Sequence, residues 1–242
     1  MTEIAVLADP PHPEVLPDLV ATSPLSGADV ETLYTAMLRD VCLAAADSGG
    51  DLLVNYRPAE AVPGVEDSEA ALREVLDGVV EDARYEVQVG ETFHGRVGNT
   101  VSHLLGQEGV ASAAALEPTA ALLTRQVVDE AAMKLRRSES VLGATADGRV
   151  YYAAFTDPVD FEAAYTPPAL STLTDRALDA GLDVDFLRTL PVVETGADLA
   201  SVMVEVDARG RAGRRVPMYL VDALDDLEVA VDVDETGKPT LV

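Results

Sequence analysis

The residues of this 242-residue chain that could do chemistry are carboxylates and arginines set beside glycine and proline. Asp147-Gly148-Arg149 places an acid and a cation in one short segment between two apolar runs. The acid suits a divalent metal, and the same Asp-Gly pair is equally an ordinary hairpin turn. Glu117-Pro118-Thr119 puts a carboxylate directly after the small apolar run from Val110 to Leu116. It reads either as a metal ligand or as a charge that favours the N-terminus of a following helix. Gly90 to Asn99 carries three glycines, His94 and Arg96 ahead of a helical pattern. That combination suits an anion held by backbone N–H groups, with Arg96 facing a phosphate, although no recognised phosphate-loop spacing is present. Asp9-Pro10-Pro11-His12-Pro13 adds a fourth candidate, a carboxylate in a loop stiffened by prolines. Glu117 and Asp147, if they end neighbouring strands, would hold one Mg²⁺ or Mn²⁺ against a nucleotide diphosphate. His12, His94 and His103 are too scattered to define a zinc site, and Cys42 is the chain's one cysteine, without a disulfide partner.

These loops need a scaffold, and the hydropathy pattern supplies one. Ile4 to Ala8 is a continuous apolar run of the kind buried on both faces of a sheet, followed by a long loop to about Ser26. From Asp29 the apolar residues Val30, Leu33, Tyr34, Met37, Leu38 and Val41 recur at helical spacing until Ser48-Gly49-Gly50. Leu52–Val54 reads as a strand, Asp67/Ser68 open a helix that carries Leu72, Leu76 and Val79, and Tyr85, Val87 and Val89 alternate as a third strand. The pattern then predicts a short helix over 97–105, a helix from Ala120 to about Leu135, strands over 140–144 and 150–155, helices over 170–180 and 199–206, and strand-like residues over 184–187. A helix over 216–224 and a strand over 227–233 close the chain. Strand and helix alternating over most of the length predict an α/β three-layer sandwich with a mostly parallel central sheet, in one domain spanning 1–242. In such a sheet ligands bind beyond the carboxyl ends of the strands, where the candidate loops fall.

Composition bounds the partners. Forty-three acidic against 17 basic residues leave a formal net charge of −26, which repels nucleic-acid phosphates and anionic lipid surfaces. Lys134 and Lys238 are the only lysines. At molar salt the Debye length falls to about 3 Å, so carboxylate repulsion is screened while short acidic side chains keep the surface hydrated. The balance points to an extreme halophile, archaeal by expectation. No membrane-spanning run and no signal-peptide pattern are evident, so a cytoplasmic location is expected. Arg209 to Arg215 carries four arginines, as a solvated connector or as an anion-attracting stretch. The strand over 227–233 offers an edge through which a homodimer could form.

Taken in order, several segments resemble the nucleotide-diphospho-sugar transferase-like proteins of glycosyltransferase-A fold, relatives of the phospholactate and molybdopterin guanylyltransferases. They are Ile4–Pro11 followed by 28–40 with its Leu33-Tyr34 pair, Gln88, Gly90 and Arg96, Val141–Ala144 leading to Asp147-Gly148 and Tyr151-Tyr152, and 170–190. Val192 to Leu199 resembles the family's D-x-D-T-x-x-D-L segment, with Val192 and Glu194 in place of its first two acids. The resemblance implies a nucleotidyl- or glycosyltransferase-like protein that binds a nucleotide or nucleotide sugar with Mg²⁺ or Mn²⁺. It implies Asp147 as the catalytic and metal-binding acid, Glu117 as a second ligand, and Asp9, Arg96, Gly148 and Arg149 at the substrate. The family's first-loop cations are missing, because Glu14 to Leu19 contains none, and its Ser-Asp-x-Pro appears as Ala115-Leu116-Glu117-Pro118. A binding or regulatory protein that kept the fold and lost the chemistry is the alternative expectation.

Overall fold

A computed structural model describes residues 1–227 and 229–242. Strand β1 (Thr2–Ala8) is buried along its whole length. Its residues alternate between two cores: Ile4, Val6 and Ala8 enter one, Ala5 and Leu7 the other. That double burial accounts for the unbroken apolar run, and it places β1 at the centre of a parallel sheet.

The other strands are β2 (Asp51–Tyr56), β3 (Arg84–Val87), β4 (Ser112–Leu116), β5 (Ser140–Ala144), β6 (Val150–Phe155) and β7 (Val184–Phe186), in the order β3-β2-β1-β4-β6-β5-β7. β1, β2, β3 and β4 run parallel, β6 is antiparallel to both β4 and β5, and β7 is parallel to β5. One face is covered by α1 (Pro17–Thr22), α2 (Gly27–Ala46), α3 (Ser68–Leu76), α5 (Arg125–Lys134), α7 (Gly196–Arg211) and α8 (Met218–Asp225), the other by α4 (Phe93–His103) and α6 (Ala169–Asp179). The result is the expected α/β architecture of three layers. A two-stranded sheet of β8 (Val231–Val233) and β9 (Pro239–Leu241) packs beside α7. No helix among the described residues is long and apolar enough to cross a membrane.

Several expectations need correction. The loop thought to run to Ser26 contains α1, which starts with Pro17 at a position where a missing N–H is harmless and buries Leu19. α3 stops at Leu76, because Asp77 is extended and Gly78 has a φ of +70°. The helix expected from Ala120 starts at Arg125. Buried turns occupy 120–123 instead, where Ala121 N–H donates to the Thr119 carbonyl and Leu123 N–H to that of Ala120, both at 2.8 Å. α7 extends to Arg211, so Arg209 and Arg211 lie on a helix and pair with Glu205 and Asp207 one turn back. Of the strand expected over 227–233, Glu228 lies outside the described residues. Val231–Val233 pairs with β9 rather than joining the main sheet.

Candidate functional site

Chain direction decides which loops meet. β1, β2, β3, β4 and β5 all point the same way, so the segments following them emerge at one end of the sheet. The chain leaves β1 toward β2 on one side, while β4 lies on the other, and a crevice opens at such a reversal of strand order. Asp9 follows β1 and Glu117 follows β4, so the two acids flank that crevice.

A cavity of about 130 Å³ lies there, lined by Asp9, Arg96, Glu117 and Glu194 together with Gln88 and Phe93. Backbone hydrogen bonds hold the segments that carry the three acids, and a side-chain bond holds Arg96. Tyr34, buried on α2, receives a 2.8 Å hydrogen bond from the Asp9 N–H and donates one of 3.0 Å to the Asp9 carbonyl. Glu117 N–H donates to the Tyr151 carbonyl at 2.9 Å. Val193 N–H donates to the Thr119 carbonyl at 3.0 Å, which carries Glu194 to the wall opposite Asp9's loop. Arg96 Nε donates to Gln88 Oε1 at 2.7 Å, and Gln88 Nε2 donates to the Asn55 carbonyl at the same distance. Gly90 makes this turn from β3 into α4 at a φ of +134°, where a Cβ would come within 3.0 Å of the Arg96 nitrogen.

The electrostatics are those of acids crowded in a half-buried space. Burial, then the charges of Glu194 and Asp9, push the Glu117 carboxyl up to about 8, against the pull of Arg96 and Arg149. Burial lowers the Arg96 guanidinium, with the nearby Arg57 cation acting in the same direction. Arg57, directly after β2, holds Asp9 through an Nη1–Oδ2 contact of 3.1 Å. Phe93, in the cavity wall, packs edge-on against Tyr165 with ring centroids 4.9 Å apart. Burial raises the Tyr165 phenol, and Glu117's charge adds to the effect.

Asp147, Gly148 and Arg149 form the adjoining turn between β5 and β6 and do not line this cavity. The Asp147 side chain is 60% exposed and pairs with Arg149 Nε at 3.0 Å. Burial works the other way, but hydrogen bonds from Thr145 and Arg149 keep the Asp147 carboxyl below its ordinary range. Arg149 also reaches Glu194 at 2.7 Å and Asp198 at 2.9 Å, so its guanidinium is shared among three carboxylates. Asp198 belongs to the capping box with Thr195 that starts α7. Arg149 therefore ties the turn to that helix and orients Glu194. Gly148 has a φ of +86°, the left-handed conformation that a turn of this kind needs.

Arg57, Glu194, Phe93 and Tyr165 were not among the expected contacts. Arg57 carries the plainest overlooked signal, a cation at the carboxyl end of a strand. Two other features are less suited to the same chemistry. The larger cavity, about 610 Å³ along β3 and α4, contains Glu86 as its one carboxylate and no arginine. Glu86, His103 and Glu108 offer ligand atoms within 4.8 Å of one another, with both acids bonded by Arg84 at the start of β3, away from the strand ends that carry Asp9 and Glu117.

No protein-family model matches the chain, and no curated protein matches it. Solved structures do. A Desulfovibrio desulfuricans G20 protein, provisionally described as a nucleotide-diphospho-sugar transferase, superposes with a TM-score of 0.74 at 18% identity, over 93% of this chain and 95% of that one. A cytidylyltransferase from Leptospira borgpetersenii gives 0.53 at 8% identity, over 93% of both chains. CMP:2-keto-3-deoxy-manno-octonic acid synthetase in complex with CTP gives 0.50 at 11% identity, over 86% of this chain and 99% of that one. At these identities the likeness is one of fold, and it matches the three-layer arrangement described above.

Proposed function

We propose that the protein binds a nucleotide or a nucleotide sugar together with Mg²⁺ or Mn²⁺ and transfers a nucleotidyl or glycosyl group. The supporting observation is that Asp9, Glu117, Glu194 and Arg96, distant in sequence, line one cavity at the crevice where strand order reverses. The fold shared with a cytidylyltransferase and with a synthetase that holds CTP favours the same reading.

The donor set suits a hard cation. It is all oxygen, and burial, with the charges of Glu194 and Asp9 added, favours a proton on Glu117 that a cation would displace. Glu117 and Glu194 are the ligands we assign. Asp147, the acid that the sequence pairs with Glu117, is assigned to the rim, where it supports Arg149 and extends the acidic wall. A cation bound there would stabilise negative charge developing on a leaving diphosphate. Arg96 supplies a fixed positive charge on the same phosphates, oriented by Gln88 so that little reorganisation is needed as charge develops. Phe93 supplies an apolar wall to the cavity and is backed by the Tyr165 ring. A binding protein without catalysis on the same fold draws support from the cation-free first loop, Glu14 to Leu19.

Thermal-shift screening of nucleoside triphosphates and nucleotide sugars, with and without Mg²⁺ or Mn²⁺ in molar KCl, tests the reading. Stabilisation that requires metal and is lost in Glu117→Gln is expected. In Asp147→Ala it is expected to be weakened; complete loss there would move the ligand role to Asp147. No response to any nucleotide would overturn the proposal, whereas metal-dependent binding without turnover of any nucleotide would favour the binding protein.

A further inference from the structure

Arg57 has no place in the expected site, yet its position is fixed with care. Its N–H donates to the Ala8 carbonyl at 3.1 Å, which holds the end of β2 against the start of Asp9's loop. Its guanidinium then spans the gap, with Nη1 on Asp9 Oδ2 at 3.1 Å and Nη2 on the Ala61 carbonyl. Both side chains of the pair stay reachable from solvent, 29% exposed for Arg57 and 21% for Asp9. Arg96 approaches the same carboxylate from α4, anchored through Nε on Gln88. Arg96 therefore lines the acidic cavity, and Arg57 stands next to it through Asp9, which lines it as well. Arg149, in the turn between β5 and β6, is shared among Asp147, Glu194 and Asp198.

Resting on the reading of this cleft as a nucleotide site, we propose that Arg57 and Arg96 form a two-guanidinium clamp for the ligand's phosphates, and that Arg57 leaves Asp9 to do so. Guanidinium groups bind phosphate oxygens bidentately and more tightly than neutral donors. The Arg57–Asp9 pair is single-pronged and partly solvated, so a phosphate group competes with it effectively. Release of Arg57 frees the Asp9 carboxylate for a cation in the cavity, which couples anion and cation binding through a single side chain. The clamp also accounts for a first loop without cations: the positive charge comes from the neighbouring strand end instead. Burial, and after it the nearby Arg57 cation, lowers the Arg96 guanidinium, and an anion between the two arginines relieves the second effect.

Calorimetric titration with inorganic pyrophosphate, with and without Mg²⁺, tests the clamp on the whole chain. Binding is expected for the native protein, weakened about 10-fold or more in Arg57→Ala and to a smaller extent in Arg57→Lys, which keeps the charge and loses the fork. Arg125→Ala, which removes a cation from an exposed helical pair, should change nothing. Circular dichroism establishes that each variant is folded, and Arg57→Lys carries the comparison if Arg57→Ala is not. Mg²⁺ should strengthen pyrophosphate binding in the native protein and do so less in Arg57→Ala. Absence of pyrophosphate binding, or equal affinity in the Arg57 variants, overturns the clamp. Pyrophosphate binding that depends on Arg57, with no gain from any nucleoside attached to the phosphates, supports the clamp and overturns the nucleotide reading alone.

Discussion

Glu117 governs the site's response to pH. Its carboxyl is raised from 4.5 to about 8 by burial and then by Glu194 and Asp9, so the folded chain keeps a proton that the unfolded chain gives up. The sign follows from linkage: the contribution to stability is complete below about pH 4.5 and is lost as pH rises through about 8. Denaturation midpoints measured across this range should therefore fall for the native protein relative to Glu117→Gln, which has no proton to lose. Added Mg²⁺ or Mn²⁺ should restore the native protein near pH 8 and leave the variant unchanged. Parallel curves for the two would mean that neither burial nor its acidic neighbours raise the Glu117 carboxyl in the folded chain. Glu117 and Asp9 were legible because each stands beside proline at the end of an apolar run, and Arg96 because it falls in a glycine-rich loop ahead of a helical pattern. Tyr165 was not, since nothing in its neighbours' spacing distinguishes it, and Arg57, a cation just past the end of β2, gains its meaning only from the sheet, which sets it beside Asp9.

Helix α2 positions the first of these acids, so its stability bears on the site. Ser26 and Asp29 cap it reciprocally: Asp29 N–H donates to Ser26 Oγ at 3.2 Å, and Ser26 N–H donates to Asp29 Oδ2 at 2.8 Å. Ser26→Ala should destabilise the protein by about 1 kcal/mol, lowering Tm by about 2–4 °C, without altering pyrophosphate affinity. An unchanged Tm would mean that the box contributes nothing. α2 itself was legible from its periodicity, whereas its cap was passed over, Ser26 being taken only as the end of a loop. Helix α1 was hidden because four prolines from residue 10 to 17 signal an extended loop, while the last of them begins a helix. The start of α5 was misplaced because Ala120 to Leu123 are apolar enough for a helix but serve as a buried connection between β4 and Val193's segment. Arg209 and Arg211 appeared as a connector because glycine interrupts them, yet pairing one turn back keeps them helical.

Over the whole molecule, topology does what no local motif can. A parallel core with β6 reversed sends the strand ends carrying Asp9, Arg57, Gln88, Glu117 and the Asp147 turn to one side. The order of strands, rather than spacing along the chain, thus creates an acidic cavity flanked by arginines. A chain of net charge −26 also attracts divalent cations diffusely, and molar KCl screens that background while leaving a cavity site intact. Electron paramagnetic resonance of Mn²⁺ titrated into the protein in molar KCl separates the two. One ion per chain, immobilised in the native protein and released in the Glu117→Gln/Glu194→Gln double variant, is the predicted result. Immobilised Mn²⁺ that survives the double substitution, or only loosely held ions in the native protein, would contradict a cation site between these two acids.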